Sequence, residues 1–144
     1  MLIGEYRHTI DNKKRIAVPA KMRKDLGEQA VITRGLDSCL FVYPQAAWQK
    51  QVEKLSALPM GVAANRSFAR FFLSGAAEVE LDQLGRILIP DHLKEHADLQ
   101  KNCIVTGVHD RVEIWNESRW QEFKKKASGN ADELAERLGQ IGAY

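Results

Sequence analysis

Apolar and polar residues alternate along 5–10 and 76–81, the pattern of two half-buried strands. Each run leads into a turn opened by an aspartate, Asp11 or Asp82, whose side chain can bond the backbone two residues on. Short branched-apolar strands follow at 15–18 and 86–89, and a proline stops each one, Pro19 or Pro90. The next segments switch to helical spacing: Met22 and Leu26 in one, Leu93 and Ala97 in the other, four apart on one face. Two more strands come after each helix, 30–33 with 39–43 and 103–106 with 111–115. Gly35 and Gly107 mark the expected turns between them.

A helix closes each series. The first carries Trp48, Val52 and Leu55, the second Trp120 and Phe123. Residues 65–73 predict a further helix with Phe68, Phe71 and Phe72 on one side. After Ser128-Gly129-Asn130 a last helix is expected, with Asn130 as its cap, Glu133 three residues on, and Leu134, Leu138 and Ile141 at helical spacing.

The chain therefore says the same thing twice. Sliding it on itself matches Asp11 to Asp82, Arg15 to Arg86 and Pro19 to Pro90 at an offset of 71. After one inserted residue, Val31-Ile32 meets Cys103-Ile104, Gly35 meets Gly107 and Trp48 meets Trp120. This is a duplication. A four-strand unit of about 40 residues cannot bury a core alone. The two copies are therefore expected to pack face to face, as a mixed α+β fold with a pseudo-twofold β-barrel or sandwich core and flanking helices. The division reads as repeat one over 5–48, a helical connector over 49–75, repeat two over 76–120, and a helical tail over 121–144.

Composition narrows the class without naming it. The chain of 144 residues is 44% hydrophobic and 28% charged, which suits a folded domain and not a disordered one. No apolar run approaches the ~18 residues of a membrane span, and no charged-then-apolar leader opens the sequence. Cys39 and Cys103 are lone thiols, expected as reduced apolar filler of a cytoplasmic protein.

Charge separates the two copies. Residues 1–34 hold eight Lys or Arg against four Asp or Glu; residues 72–106 hold three against six. At matched positions Arg7 faces Glu78, Lys13 faces Leu84, Lys14 faces Gly85 and Lys24 faces Glu95. One backbone plan thus carries opposite surfaces. The set Arg7, Lys13, Lys14, Arg15, Lys21, Arg23 and Lys24 suits a polyphosphate, since neutralising phosphates releases condensed counterions.

The Asp-x-x-x-Arg-[Ile/Leu]-x-[Ile/Val]-Pro turn in both halves, GLDSCLFVYP with Trp48, RFFLSGAAEVELD and VEIWNESRW together resemble the MraZ family of bacterial transcription regulators, relatives of the AbrB and SpoVT swapped-hairpin proteins. The similarity covers residues 1 to about 125. It implies two AbrB-like repeats and binding to double-stranded DNA at short direct repeats in the promoter of a division and cell-wall gene cluster. It also implies a homo-oligomeric ring and a nucleoid-associated place in the cytoplasm.

The DNA-reading surface would then be the Asp-x-x-x-Arg turns. Arg15 is expected to reach a base edge with its guanidinium fork, and Lys13 and Lys14 to anchor phosphates as flexible point charges. Arg7, Lys21 and Arg23 would add to the same field. Arg86 is expected to pair with Asp82 or a neighbouring chain and to contribute more weakly. Asp11, Asp82 and Gly85 are read as turn-formers. The family often has Gly before the Arg in both copies, whereas this chain has Lys14 in the first. A lysine in a left-handed conformation costs roughly 1 kcal/mol, so either that turn is shaped differently or the strain is accepted for a cation.

Other chemistry is weakly represented. HLKEH, residues 92–96, matches a zinc-peptidase pattern, but its helix is only about two turns and no third ligand is evident. No nucleophile elbow, phosphate-binding glycine loop or Cys/His cluster occurs, so no enzyme, cofactor, metal or small-molecule substrate is expected. The remaining alternative is an AbrB-like antitoxin or a scaffold that binds no DNA.

Overall fold

Along the first strand and the residue after it the even-numbered side chains turn inward, with Leu2 and Ile10 buried and Tyr6 packed against the core, while Glu5 and Arg7 face outward. The computed structural model describes residues 1–144 and places this strand as β1 (Leu2–Thr9). The first half continues through β2 (Arg15–Ala17), α1 (Ala20–Leu26), β3 (Gln29–Arg34), β4 (Leu40–Pro44), α2 (Gln45–Ser56) and α3 (Ala63–Ser74). The second half repeats the order as β5 (Ala77–Glu80), β6 (Arg86–Leu88), α4 (Asp91–His96), β7 (Asn102–His109), β8 (Val112–Asn116), α5 (Glu117–Gly129) and α6 (Ala131–Gln140). The fold is mixed α+β.

Six strands form one sheet in the order β1-β7-β8-β4-β3-β5, and β2 and β6 form a separate two-stranded ribbon. Every pairing is antiparallel. Exchanging each strand for its counterpart in the other half reverses the six-strand order and leaves it otherwise unchanged, so the halves are related by a pseudo-twofold. The relation depends on a swap. β1 pairs with β7 of the second half, and β5 pairs with β3 of the first. No ladder joins the edge strands β1 and β5, so the hydrogen bonding does not close the expected barrel.

Burial follows from this plan. One core of 20 residues draws on both halves and includes Ile16 with Ile87, Met22 with Leu93, and Ile32 with Val105. It lies between the sheet and the ribbon, with α1 and α4 contributing the side chains that the helical spacing singled out. The opposite face of the sheet carries Phe41, Tyr43 and Trp115, which form an aromatic cluster with Phe72 of α3 and are covered by α2, α3 and α5. Such apolar burial contributes about 25 cal/mol per Å2 of surface removed from water.

Three sequence expectations need correction. The duplicated strands do not align as Val31-Ile32 with Cys103-Ile104. Ala30 and Ile32 share the main core with Cys103 and Val105, whereas Ile104 lies in the aromatic cluster, so the structural match is one residue further on. A slip of one residue sends every side chain to the other face. Gly107 marks no turn: it lies inside β7, opposite Gly4 and Val112, where a Cβ would overlap the backbone of Leu2 and Ile3. Asn130 stands at the start of α6, but its side chain makes no capping bond. The side-chain cap falls at Asn116 instead, whose Oδ1 accepts from the Arg119 N–H at 3.1 Å while its Nδ2 donates to the Asp98 carbonyl at 2.7 Å.

Candidate nucleic-acid interface

Asp11 organises its turn through both carboxylate oxygens. Its Oδ1 accepts from the backbone N–H groups of Lys13 and Arg15, each at 2.9 Å, and its Oδ2 accepts from Arg15 Nε at 2.9 Å. Asp82 does the same for Leu84 N–H and Arg86 N–H at 2.9 Å and Arg86 Nε at 2.8 Å. The backbone closes both turns alike. Asp11 N–H donates to the Arg15 carbonyl and Lys14 N–H to the Asp11 carbonyl, and the second turn has the matching pair. In each turn the Arg backbone N–H is the foremost reason that the aspartate's pKa lies below the usual carboxylate range, and its guanidinium adds to the effect. Both aspartates therefore stay charged further into acid than an ordinary aspartate does.

Lys14 does take the left-handed conformation. Its φ is 61°, beside 74° for Gly85 at the equivalent place, so the first turn keeps its shape and accepts the strain. The Lys14 ammonium pairs with Asp91 at the start of α4 in the other half. That contact follows from the ribbon's antiparallel register, which sets Arg15 opposite Leu88 and Ala17 opposite Arg86. Ile16 and Ile87 face the core, so Arg15 and Arg86 both stand on the ribbon's outer face. There they lie diagonally across from each other.

The two arginines differ in their surroundings. Arg15 is engaged only through Nε, which leaves both terminal nitrogens without a protein partner. Arg86 has the same bond to Asp82, and its Nη1 also lies 3.8 Å from Asp11 Oδ2, so two carboxylates bracket it.

The expected basic set does not form one patch. Lys13, Lys14 and Arg15 share the first turn. Arg7 points to the helix-bearing face of the sheet, where its Nε meets Glu117 at 2.5 Å. Arg23 lies at the other end of the ribbon: its Nε donates to the Val18 carbonyl at 2.9 Å, and its guanidinium fills the space a side chain at Gly85 would need. Lys21 and Lys24 are exposed on α1. In exchange, Lys94 and Lys101 from the acidic half border the hollow beside the first turn, together with Asn12 and Gln100. Counting charge by sequence window misses these two lysines, because Lys101 comes there with the pairing of β1 and β7 and Lys94 with that of β2 and β6.

The zinc-like pattern separates into two structural contacts. His92 Nε2 lies 3.0 Å from the Gly75 carbonyl and His96 Nε2 3.3 Å from the Gly35 carbonyl. No three metal-binding side chains come together anywhere in the chain. No helix is long and apolar enough to cross a membrane.

These features can be set beside known proteins. The family profile described as "MraZ protein, putative antitoxin-like" matches the chain twice, over residues 1–71 and 72–141. The protein named Transcriptional regulator MraZ from Heliobacterium modesticaldum is 51% identical over 138 residues, covering 96% of each chain. Its namesake from Caldanaerobacter subterraneus subsp. tengcongensis is also 51% identical, and that from Natranaerobius thermophilus 47%, with the same coverage. Two matched repeats, two identically built Asp-x-x-x-Arg turns and near-complete alignment with these relatives agree: the chain belongs to the MraZ family.

Proposed function

We propose that this chain is a sequence-specific DNA-binding transcriptional regulator that reads short direct repeats in a promoter, within the cytoplasm and on the nucleoid. One observation carries the reading. Arg15 stands on the outer face of a two-stranded ribbon, fixed through Nε by Asp11, with both terminal nitrogens free. A two-stranded ribbon fits the major groove, and a guanidinium fork can bond guanine O6 and N7 there, worth about 1–3 kcal/mol of discrimination. Lys13 and Lys14 on the same turn supply phosphate contacts that set register and carry no sequence information. Arg86, bracketed by two carboxylates, contributes less. The relatives' printed name supports transcriptional regulation and leaves no enzymatic reading.

One turn spans few base pairs, so selectivity requires several copies reading repeated sites together, which a homo-oligomeric ring provides by raising effective concentration. The gene cluster under control is, on this reading, that of division and cell-wall synthesis. The test is fluorescence anisotropy on the promoter region of the protein's own gene against shuffled DNA across a salt series. Wild type should prefer the native sequence and lose affinity steeply with salt. Arg15→Ala should abolish the preference, and Arg86→Ala should largely keep it. If both variants bind as wild type does, the ribbon is not the reader. If wild type shows no affinity even at low salt, the antitoxin or scaffold reading takes its place.

A further inference from the structure

The third helix of each repeat has a different occupation. In the first half α3 folds back over the sheet, and its Phe72 stacks on Trp48 with ring centroids 5.4 Å apart and meets Tyr43 at 6.2 Å. In the second half α5 itself supplies the ring at that place, Phe123, which stays 43% exposed where Phe72 is buried. Phe123 stacks on Trp120 at 5.7 Å and lies 5.3 Å from Trp115. The links differ accordingly: residues 57–62 join α2 to α3, whereas Asn130 alone separates α5 from α6. α6 has no buried residue and contributes to neither core cluster. Its Leu134 and Leu138 are each 45% exposed and Ile141 is 76% exposed, spaced four and three residues apart on one face.

The same chain holds a surface that fits this helix. Between the end of α2 and the outer side of α3 runs an open groove of about 320 Å3, lined by Leu55, Leu58, Pro59, Met60 and Ala69. Met60 at its edge is 80% exposed. Arg66 and Arg70 also line it, and neither guanidinium has a carboxylate partner. α6 has the complementary charge, with Asp132, Glu133 and Glu136 against Arg137.

We propose that α6 of one copy docks in the α2–α3 groove of the next. The acidic helix favours this site over a second α6, which would set acids against acids. Donor and acceptor are different surfaces of one chain, so the contact is head-to-tail and propagates around a ring when the rotation closes. The inference rests on the ring reading above and names the surfaces that would build it.

Light scattering on the full chain, combined with cysteine cross-linking, tests both. Wild type should elute at a multiple of the chain mass. Leu138→Asp should keep its circular dichroism and melting temperature, since that side chain belongs to neither core cluster and is 45% exposed. Its assembly should nevertheless require about tenfold or more higher concentration. Mixing Leu138→Cys with Ala69→Cys under oxidation should give a covalent dimer that neither variant gives alone. A dimer from Leu138→Cys alone would mean that α6 pairs with itself. A wild-type ring with no mixed cross-link and an unaffected Leu138→Asp would overturn the groove assignment while leaving the ring intact. A monomeric wild type would overturn both.

Discussion

Lys14 and Gly85 hold one left-handed conformation at equivalent places in the two turns, with φ of 61° and 74°. A lysine there carries roughly 1 kcal/mol of strain that a glycine does not. Its ammonium meets Asp91, an exposed pair of little worth to stability. Lys14→Gly should therefore leave stability unchanged or raise it by up to about 1 kcal/mol, read from denaturant midpoints. DNA affinity should fall all the same, with the slope of log K against log salt reduced by about 0.9, one phosphate contact. An unchanged slope would remove Lys14 from the interface.

Asp11 holds three donors, one of them the Arg15 guanidinium. Asp11→Asn keeps an acceptor for the backbone N–H groups but sets an amide donor toward Arg15 Nε. The expected outcome is a lower melting temperature and reduced base discrimination, with phosphate-driven binding to shuffled DNA largely kept.

The same carboxyls give a pH signature. The folded pKa values of Asp11 and Asp82 lie below the ordinary value, so their contribution to stability is complete above the unfolded pKa of about 3.9 and lost as pH falls through the lowered values. Between pH 5 and 8 they should add no slope. Carboxyl NMR titration should find both midpoints below the ordinary aspartate value, and Asp11→Asn should remove one of the two transitions.

Gly107 gives a steric test. A Cβ there meets the backbone of β1, which cannot move without breaking the β1–β7 ladder. Gly107→Ala should cost about 1–3 kcal/mol in equilibrium unfolding. Gly61→Ala, where a Cβ meets nothing, should be neutral or slightly stabilising.

Burial raises the pKa of the Cys103 thiol to about 11 and drives that of Cys39 higher still. Neither should react with a disulfide reagent at neutral pH until the chain unfolds, when both should. Reaction of either thiol in the native state would show that its side of the core opens.

Much of the fold is legible because burial writes a period into the sequence. Met22 with Leu26 and Leu93 with Ala97 announced their helices and are buried as expected. Register in β3 and β7 could not be read the same way. Val31, Ile32, Cys103 and Ile104 are all apolar because both faces of the sheet are covered there, and alternation vanishes when both sides are dry. The turn motif was legible down to the role of its aspartates. The neighbours of each turn were not, since the antiparallel ribbon brings α4 to the first turn and Arg23 to the second. Window charge read the second copy as acidic, yet Lys94 and Lys101 of that copy stand beside the basic turn.

The exchange of edge strands also sets a timetable for synthesis. β1 leaves the ribosome first, yet its only sheet partner is β7, whose residues 102–109 come last but one among the strands. At about 5–20 residues per second, β1 waits on the order of 5–20 seconds with its ladder unmade. β5 has no such delay, because β3 is already there when it emerges. Two copies of one plan therefore face opposite risks during birth. The duplication that makes the finished halves look alike leaves the first dependent on the second.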